Sequence, residues 1–210
     1  KLSLLFGYVF YIAAALGILF AWHRDDRVEH TTALVYVGAA IGAVFAGDLI
    51  TLFFYWEVAA VAAIVLIWAA RTDRSFRAGF RCLIIYMLSG MLLLTGVAVR
   101  AIETGSLAFD QIGLDSPGGL LILLAFGIKC AFPFLHNWLQ DAYPEASVTG
   151  TVFLSAFTTK LAVYALARGY AGTEILIWIG VAMTAFPIFY AVIENDLRRV
   201  LAYSLNNQLG

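Results

Sequence analysis

The chain has 210 residues, 62% of them hydrophobic and 13% charged, with a net charge of -1 and a mean hydropathy of +0.88. Soluble domains are about 45–50% apolar and about 25% charged, so this composition excludes a water-soluble domain and reads as a polytopic membrane protein. The near-neutral charge balance offers nothing to nucleic acid and no polybasic membrane anchor.

A spanning helix needs roughly 20 mostly apolar residues. Stretches of that kind run over Leu4–Trp22, Ala33–Gly47, Ile50–Ala70, Gly79–Ile102, Gly119–Phe134, Val148–Arg168 and Ile175–Ile193, and a further helix begins at Asp196. The predicted fold is therefore all-α, with about seven transmembrane helices and the start of an eighth in one membrane domain. "HRDDRVEH" (23–30) and "RTDRSFRAGFR" (71–81) read as charged loops, and "ETGSLAFDQIGLDSPGG" (103–119) as an acidic, turn-rich loop. "GD" at 47–48 is a tight turn with Asp48 as helix cap. Pro133 and Pro187 each remove a backbone hydrogen bond and are expected to kink or interrupt their helices.

Lys/Arg bias sets orientation. Arg71, Arg74, Arg77 and Arg81 gather in one loop and Arg198 and Arg199 in another, while the loop 103–119 holds acids and no basic residue. Counting helices puts both arginine-rich loops on one side, so 23–30, 71–81, 136–147 and 194–199 are expected to be cytoplasmic. Cys82 and Cys130 lie in apolar runs and read as small buried hydrophobes. The chain starts at Lys1 and ends at "NNQLG", which suggests a piece of a longer protein.

Three ionisable residues stand where lipid-facing or core residues are expected. Of the three lysines, Lys129 and Lys160 lie in apolar runs, and Glu57 interrupts "LFFYWEVAAVAAIVLIW". At about 1.5 Å per residue each lies inside the hydrocarbon depth. An isolated charge there costs at least ~2.5–3.5 kcal/mol, so such residues pair or line water. One reading is a structural salt bridge between Glu57 and Lys129. The other is a proton relay in which a partner moves and changes the proton affinity of Lys129. Pro133 four residues later breaks the helix, and broken helices form ion sites in transporters. His136 beyond the break is a candidate proton carrier or a residue bonded to backbone. Trp138 reads as an interfacial anchor. Ser155, Thr158 and Thr159 lie within about a turn of Lys160 and could hold relay water or bond their own helix. Asp141 and Glu145 read as solvated loop acids or caps.

"AGDLITLFFYWEV", "FGIKCAFPFLHNWLQDAYPEA", "GTVFLSAFTTKLAVYALAR" and "NDLRRVLAYSLNNQLG" resemble, in this order, the proton-antiporter membrane family. That family comprises the antiporter-like subunits of respiratory complex I, large subunits of Mrp-type Na+/H+ antiporters and relatives in membrane-bound hydrogenases. "GDL" before "WEV" is most similar to the Mrp D subunit. The resemblance implies a fourteen-helix fold with two inverted five-helix repeats, of which this chain would hold the third helix to the start of the tenth. It implies that Glu57 is the fifth-helix glutamate, Lys129 its partner on the broken seventh helix, and Lys160 the eighth-helix lysine that passes protons onward. Water would enter near Pro133 and His136.

The chain departs from the family at Gln140 and Tyr143, where "H-x-W-L-P-D-A-H" is usual, at Arg198 for lysine, and in "AYSLNNQ" for "AYSTISQ". An arginine does not release protons at neutral pH, so no proton step is expected at Arg198.

The expected function is proton translocation as an antiporter-like subunit in a bacterial inner membrane, with partner membrane subunits, H+ and, in the antiport reading, Na+. The alternatives are a proton-pumping subunit of an NADH-quinone oxidoreductase or related hydrogenase, and a purely structural subunit. No metal or cofactor is expected, since there is no ligand cluster, phosphate loop or haem ligand pair. Any oxidoreductase activity would belong to the assembly.

Overall fold

A computed structural model describes residues 1–210, and it is helical throughout apart from one isolated bridge between Asp48 and Ala108. In chain order the helices are α1 (Leu2–Ala21), α2 (Arg27–Phe45), α3 (Leu49–Trp68), α4 (Asp73–Thr104), α5 (Pro117–Cys130), α6 (Asn137–Ala142), α7 (Val148–Gly169), α8 (Ile175–Ile193) and α9 (Leu197–Leu209). Six are long and apolar enough to cross a membrane: α1, α2, α3, α4, α7 and α8. The seven expected spans are all present as helices, with α5 the short one.

Local chemistry starts these helices. The Asp26 carboxylate accepts from the N–H groups of Val28 and Glu29 at 3.0 and 3.3 Å, and Asp48 accepts from Thr51 N–H at 2.8 Å. Thr72 and Ser75 form a reciprocal capping box on α4. Ser116 caps α5 with Pro117 at its first position, where the missing N–H is harmless. Ser147 caps α7. Gly105 closes α4 in the left-handed region at φ 67°, which glycine adopts without strain.

These caps move two expected boundaries. Helix begins at Arg27 and at Asp73, so the polar runs 23–30 and 71–81 are largely first turns of α2 and α4 rather than loops. With 32 residues α4 is about 48 Å long, well beyond a hydrocarbon core of about 30 Å, so its arginine-bearing turns project from it. Pro187 does not interrupt α8. The helix runs through it, and the carbonyl deprived of a partner belongs to Met183, four residues earlier. Met183 and Pro187 are the two buried residues of α8, so the gap is turned from lipid.

Helix α7 lies at the centre, packed against α1, α2, α3, α5 and α9. The loops sort to two ends. At one, Arg71 pairs with Asp26 at 2.8 Å, Arg81 with Asp141 at 3.0 Å, and Arg198 donates to the carbonyls of Pro144 and Ala146. At the other, Leu49 and Phe109 N–H groups donate to Leu107 and Gly47, Ile112 N–H to Gly169, and Arg168 to Ala46. The arginine-rich segments thus share an end, as the charge count requires. Cys82 and Cys130 are free and buried.

Candidate functional site

Helix α5 stops early. Its 14 residues make about 21 Å, less than the hydrocarbon thickness, so the chain breaks inside the membrane. Ala131 and Phe134 take left-handed φ values of 61° and 69°, unusual for residues with side chains, and Pro133 lies between them. The short helix α6 follows. Its Trp138 donates its indole N–H to the Ile128 carbonyl at 2.9 Å, and it is 2% exposed. The expected interfacial anchor is therefore a plug in the break: a tryptophan that satisfies one of the orphan carbonyls at the end of α5.

Lys129 is in the last turn of α5, where the helix dipole favours a cation. It is 2% exposed. Its Nζ donates to the Trp56 carbonyl at 2.8 Å and lies 4.4 and 5.0 Å from the ring centres of Trp56 and Tyr86. A small polar triangle fixes this cage. Trp56 N–H donates to the Ser89 hydroxyl at 3.3 Å, and that hydroxyl donates to the Ala125 carbonyl at 2.8 Å, joining α3, α4 and α5.

Glu57 does not meet Lys129. Neither residue takes part in an ion pair, so the expected salt bridge is absent. The cause is their placement on α3. Trp56 turns its backbone carbonyl and ring to Lys129, whereas Glu57, one residue on, is rotated about 100° away. The Glu57 carboxyl lies against Gly90 of α4, in the space a Cβ there would fill, and its Oε1 is buried without a partner. On its open side it borders a groove of about 440 Å³ with Thr31, Thr32 and the valines 35, 58, 61 and 65. The two residues remain within coulombic reach of one another.

Lys160 sits on the outer side of α7. Its Nζ donates to the Ser155 carbonyl at 2.9 Å and it lines a groove of about 450 Å³ with Thr151, Ser155, Ser204 and Gln208. Thr158 points the other way, into the core, where its hydroxyl bonds that of Tyr36. His136 caps the start of α6, packs edge-on against Phe186 at 5.3 Å and leaves Nδ1 unpartnered. It is 8% exposed, and makes no contact with Lys129.

Sequence reasoning missed one buried acid. Glu29, 2% exposed in the first turn of α2, accepts hydrogen bonds from the hydroxyls of Ser147 (2.5 Å) and Thr149 at the start of α7. Arg24 lies 3.9 Å away. The local signal was Asp26, whose capping makes 27–30 helical and so places Glu29 on a helix face.

With this geometry in place, comparisons with known proteins are specific. Residues 46–210 match the family model described as "NADH:quinone oxidoreductase/Mrp antiporter, TM". The chain is 35% identical over 208 residues to NADH-quinone oxidoreductase subunit N of Desulforudis audaxviator, covering 89% of this chain and 41% of that protein. It is 29% identical over 235 residues to a Na(+)/H(+) antiporter subunit of Alkalihalophilus pseudofirmus, covering all of this chain and 29% of that protein. Among solved structures, one chain of the Mrp complex from Dietzia sp. DQ12-45-1b superposes with a TM-score of 0.84 at 26% identity, over 99% of this chain and 42% of that one. The chain thus spans less than half the length of these relatives.

Proposed function

Because the chain belongs to the NADH:quinone oxidoreductase/Mrp antiporter membrane family, we propose that it is the proton-entry part of an antiporter-like membrane subunit. Relatives from quinone oxidoreductases and from Na+/H+ antiporters match at comparable identity, so the proposal rests on what the two could share, proton transfer. The Mrp-type reading, monovalent cation/H+ antiport by a D-like subunit, is the form proposed; pumping within a quinone oxidoreductase uses the same residues. Partner membrane subunits supply the coupled cation or the redox energy. The chain stands for the first of two inverted repeats, which accords with its share of its relatives' length.

The observation that carries this reading is Lys129. It is an amine sealed at mid-membrane, bonded to one carbonyl and to no carboxylate. A structural salt bridge needs the pair to touch, and Glu57 and Lys129 do not. What remains is a group that can hold or release a proton, with a carboxyl near enough to change its affinity if α3 or α4 shifts. Lys129 takes the proton, Lys160 receives it, and Glu57 sets the bias. His136, at the break beside Pro133, serves the entry side. The arginine-bearing end faces the cytoplasm of a bacterial inner membrane, by the positive-inside rule.

The test uses the full-length protein in its host assembly, reconstituted in vesicles. Lys129→Met keeps length and apolar packing while removing the titratable group. Proton transport is expected to fall about 100-fold or more, the scale of a lost acid–base group, with incorporation into the assembly unchanged. Normal transport by a correctly assembled Lys129→Met complex would overturn the reading.

A further inference from the structure

Between Lys129 and the face of α7 that leads to Lys160 lies a set of buried hydroxyls that the relay above leaves unused. Tyr86 of α4 is 1% exposed, and its ring is one wall of the Lys129 cage. Its hydroxyl faces Thr158, Tyr143 and Cys82, yet forms a well-aligned hydrogen bond with none of them. Tyr36 of α2 bonds Thr158 hydroxyl to hydroxyl, and Tyr143 donates to the Leu154 carbonyl at 3.0 Å. Trp138 packs edge-on against both Tyr86 and Tyr143. Four helical segments thus aim hydroxyls at Thr158.

Each element of this cluster is left with hydrogen-bonding capacity. An ammonium has three donors, and Lys129 uses one. Tyr86 uses neither its donor nor its acceptors, and Thr159 Oγ1, next along α7, is also buried without a partner. A buried polar group left unpaired costs about 1–3 kcal/mol. A fold that served packing alone would hold phenylalanine at 86 and valine at 159. Tyr143 cannot supply the missing proton, because its hydroxyl hydrogen is committed to Leu154. Tyr86 and Thr158 can each give one proton while accepting another.

We propose that the Tyr86 and Thr158 hydroxyls carry the proton from Lys129 to α7. The inference rests on the reading of Lys129 as a proton carrier. In the transfer Lys129 gives a proton to the Tyr86 oxygen as the Tyr86 hydroxyl proton passes to Thr158. The Thr158 proton passes to a water beside Thr159, and from that water to Lys160. Each O–H bond broken is replaced by one formed, so no phenolate persists. Lys129 ends as a neutral amine and Lys160 as an ammonium. Tyr36 and Tyr143 are positioning residues that hold Thr158 and Tyr86 in register.

The experiment is proton transport by the full-length protein in its assembly, with three variants beside Lys129→Met. Tyr86→Phe keeps the ring over Lys129 and removes the hydroxyl. Thr158→Val keeps the shape and removes the hydroxyl, and Thr158→Ser keeps the hydroxyl. Tyr86→Phe and Thr158→Val are each expected to lower transport about 100-fold, with Thr158→Ser restoring most of it and assembly unchanged. Equal transport by the Val and Ser variants, high or low, overturns the proposal, and this pair decides the matter if Tyr86→Phe fails to assemble. A dead Lys129→Met beside unimpaired Tyr86→Phe and Thr158→Val removes the hydroxyl route and leaves the proposed function standing. A fully active Lys129→Met removes the proposed function itself.

Discussion

Lys129 and Trp56 are bound twice over: the ammonium donates 2.8 Å to the Trp56 carbonyl and stands 4.4 Å from the centre of its indole ring. The carbonyl contact belongs to the backbone and survives any substitution at 56, whereas the ring contact does not. A desolvated cation–π contact is worth about 2 kcal/mol. Trp56→Leu and Lys129→Met, made singly and together, should therefore show a coupling of about 2 kcal/mol in the unfolding of the detergent-solubilised protein. A coupling near zero would mean that the resting amine is neutral and the ring merely packs.

Gly90 and Glu57 form a second interlock. The carboxyl occupies the position a Cβ at Gly90 would need. Gly→Ala within a helix ordinarily stabilises by roughly 0.5–1 kcal/mol. Here Gly90→Ala is expected to destabilise and to impair transport, because the methyl displaces the carboxyl from α4. In a Glu57→Ala background the same change should become stabilising by about 1 kcal/mol. That reversal of sign, read from thermal unfolding, is the check. Destabilisation in both backgrounds would place the clash elsewhere.

The sequence made the helices and the break legible because both are local. Apolar runs of spanning length, caps such as Asp48 and a proline at 133 all act within a few residues. Pro187 misled because a proline's effect depends on what its helix packs against, and α8 can turn the freed Met183 carbonyl inward. The orientation of Glu57 was illegible for a related reason. Its depth follows from spacing, but its partner is decided by a glycine 33 positions away on α4. Trp138 was misplaced because the end of α5, ten residues earlier, offers its indole an unpaired carbonyl that the sequence does not reveal. Family resemblance named Lys129, Lys160 and Glu57; it did not indicate that an amine, two rings and one carbonyl would meet without a carboxylate.

Asp48 carries a pH dependence whose sign can be worked out. The Thr51 backbone N–H and then its hydroxyl hold the Asp48 carboxyl below the ordinary aspartate value of 3.8. A carboxyl with a depressed value adds stability that is fully present above its unfolded value and is lost as pH falls through the folded one. Asp48→Ala should cost about 1 kcal/mol at neutral pH, the usual worth of a helix cap. Asp48→Asn keeps the acceptor and should cost much less. Melting of wild type and Asp48→Ala as a function of pH should converge below the ordinary aspartate value. A gap that persists in acid would show that the carboxylate charge is not what the cap uses.

Glu29 and Arg71 allow a comparison of a buried and an exposed acid contact at the same end of the molecule. The Arg71–Asp26 pair is close, at 2.8 Å, but the Arg71 side chain is 70% exposed, so breaking it with Arg71→Ala should cost less than about 1 kcal/mol. Glu29 is almost wholly buried and accepts from the Ser147 and Thr149 hydroxyls, tying α2 to the start of α7. Hydrogen bonds to charged groups contribute about 1.5–3 kcal/mol each, and Glu29→Ala also strands two buried donors. It should therefore cost about 3 kcal/mol or more, with Glu29→Gln intermediate. Because α7 carries Thr158 and Lys160, the same change should loosen that helix. Amide exchange at 148–152 is expected to rise in Glu29→Ala and stay unchanged in Arg71→Ala. Equal effects of the two substitutions would mean that Glu29 is a solvated surface acid rather than the tie between α2 and α7.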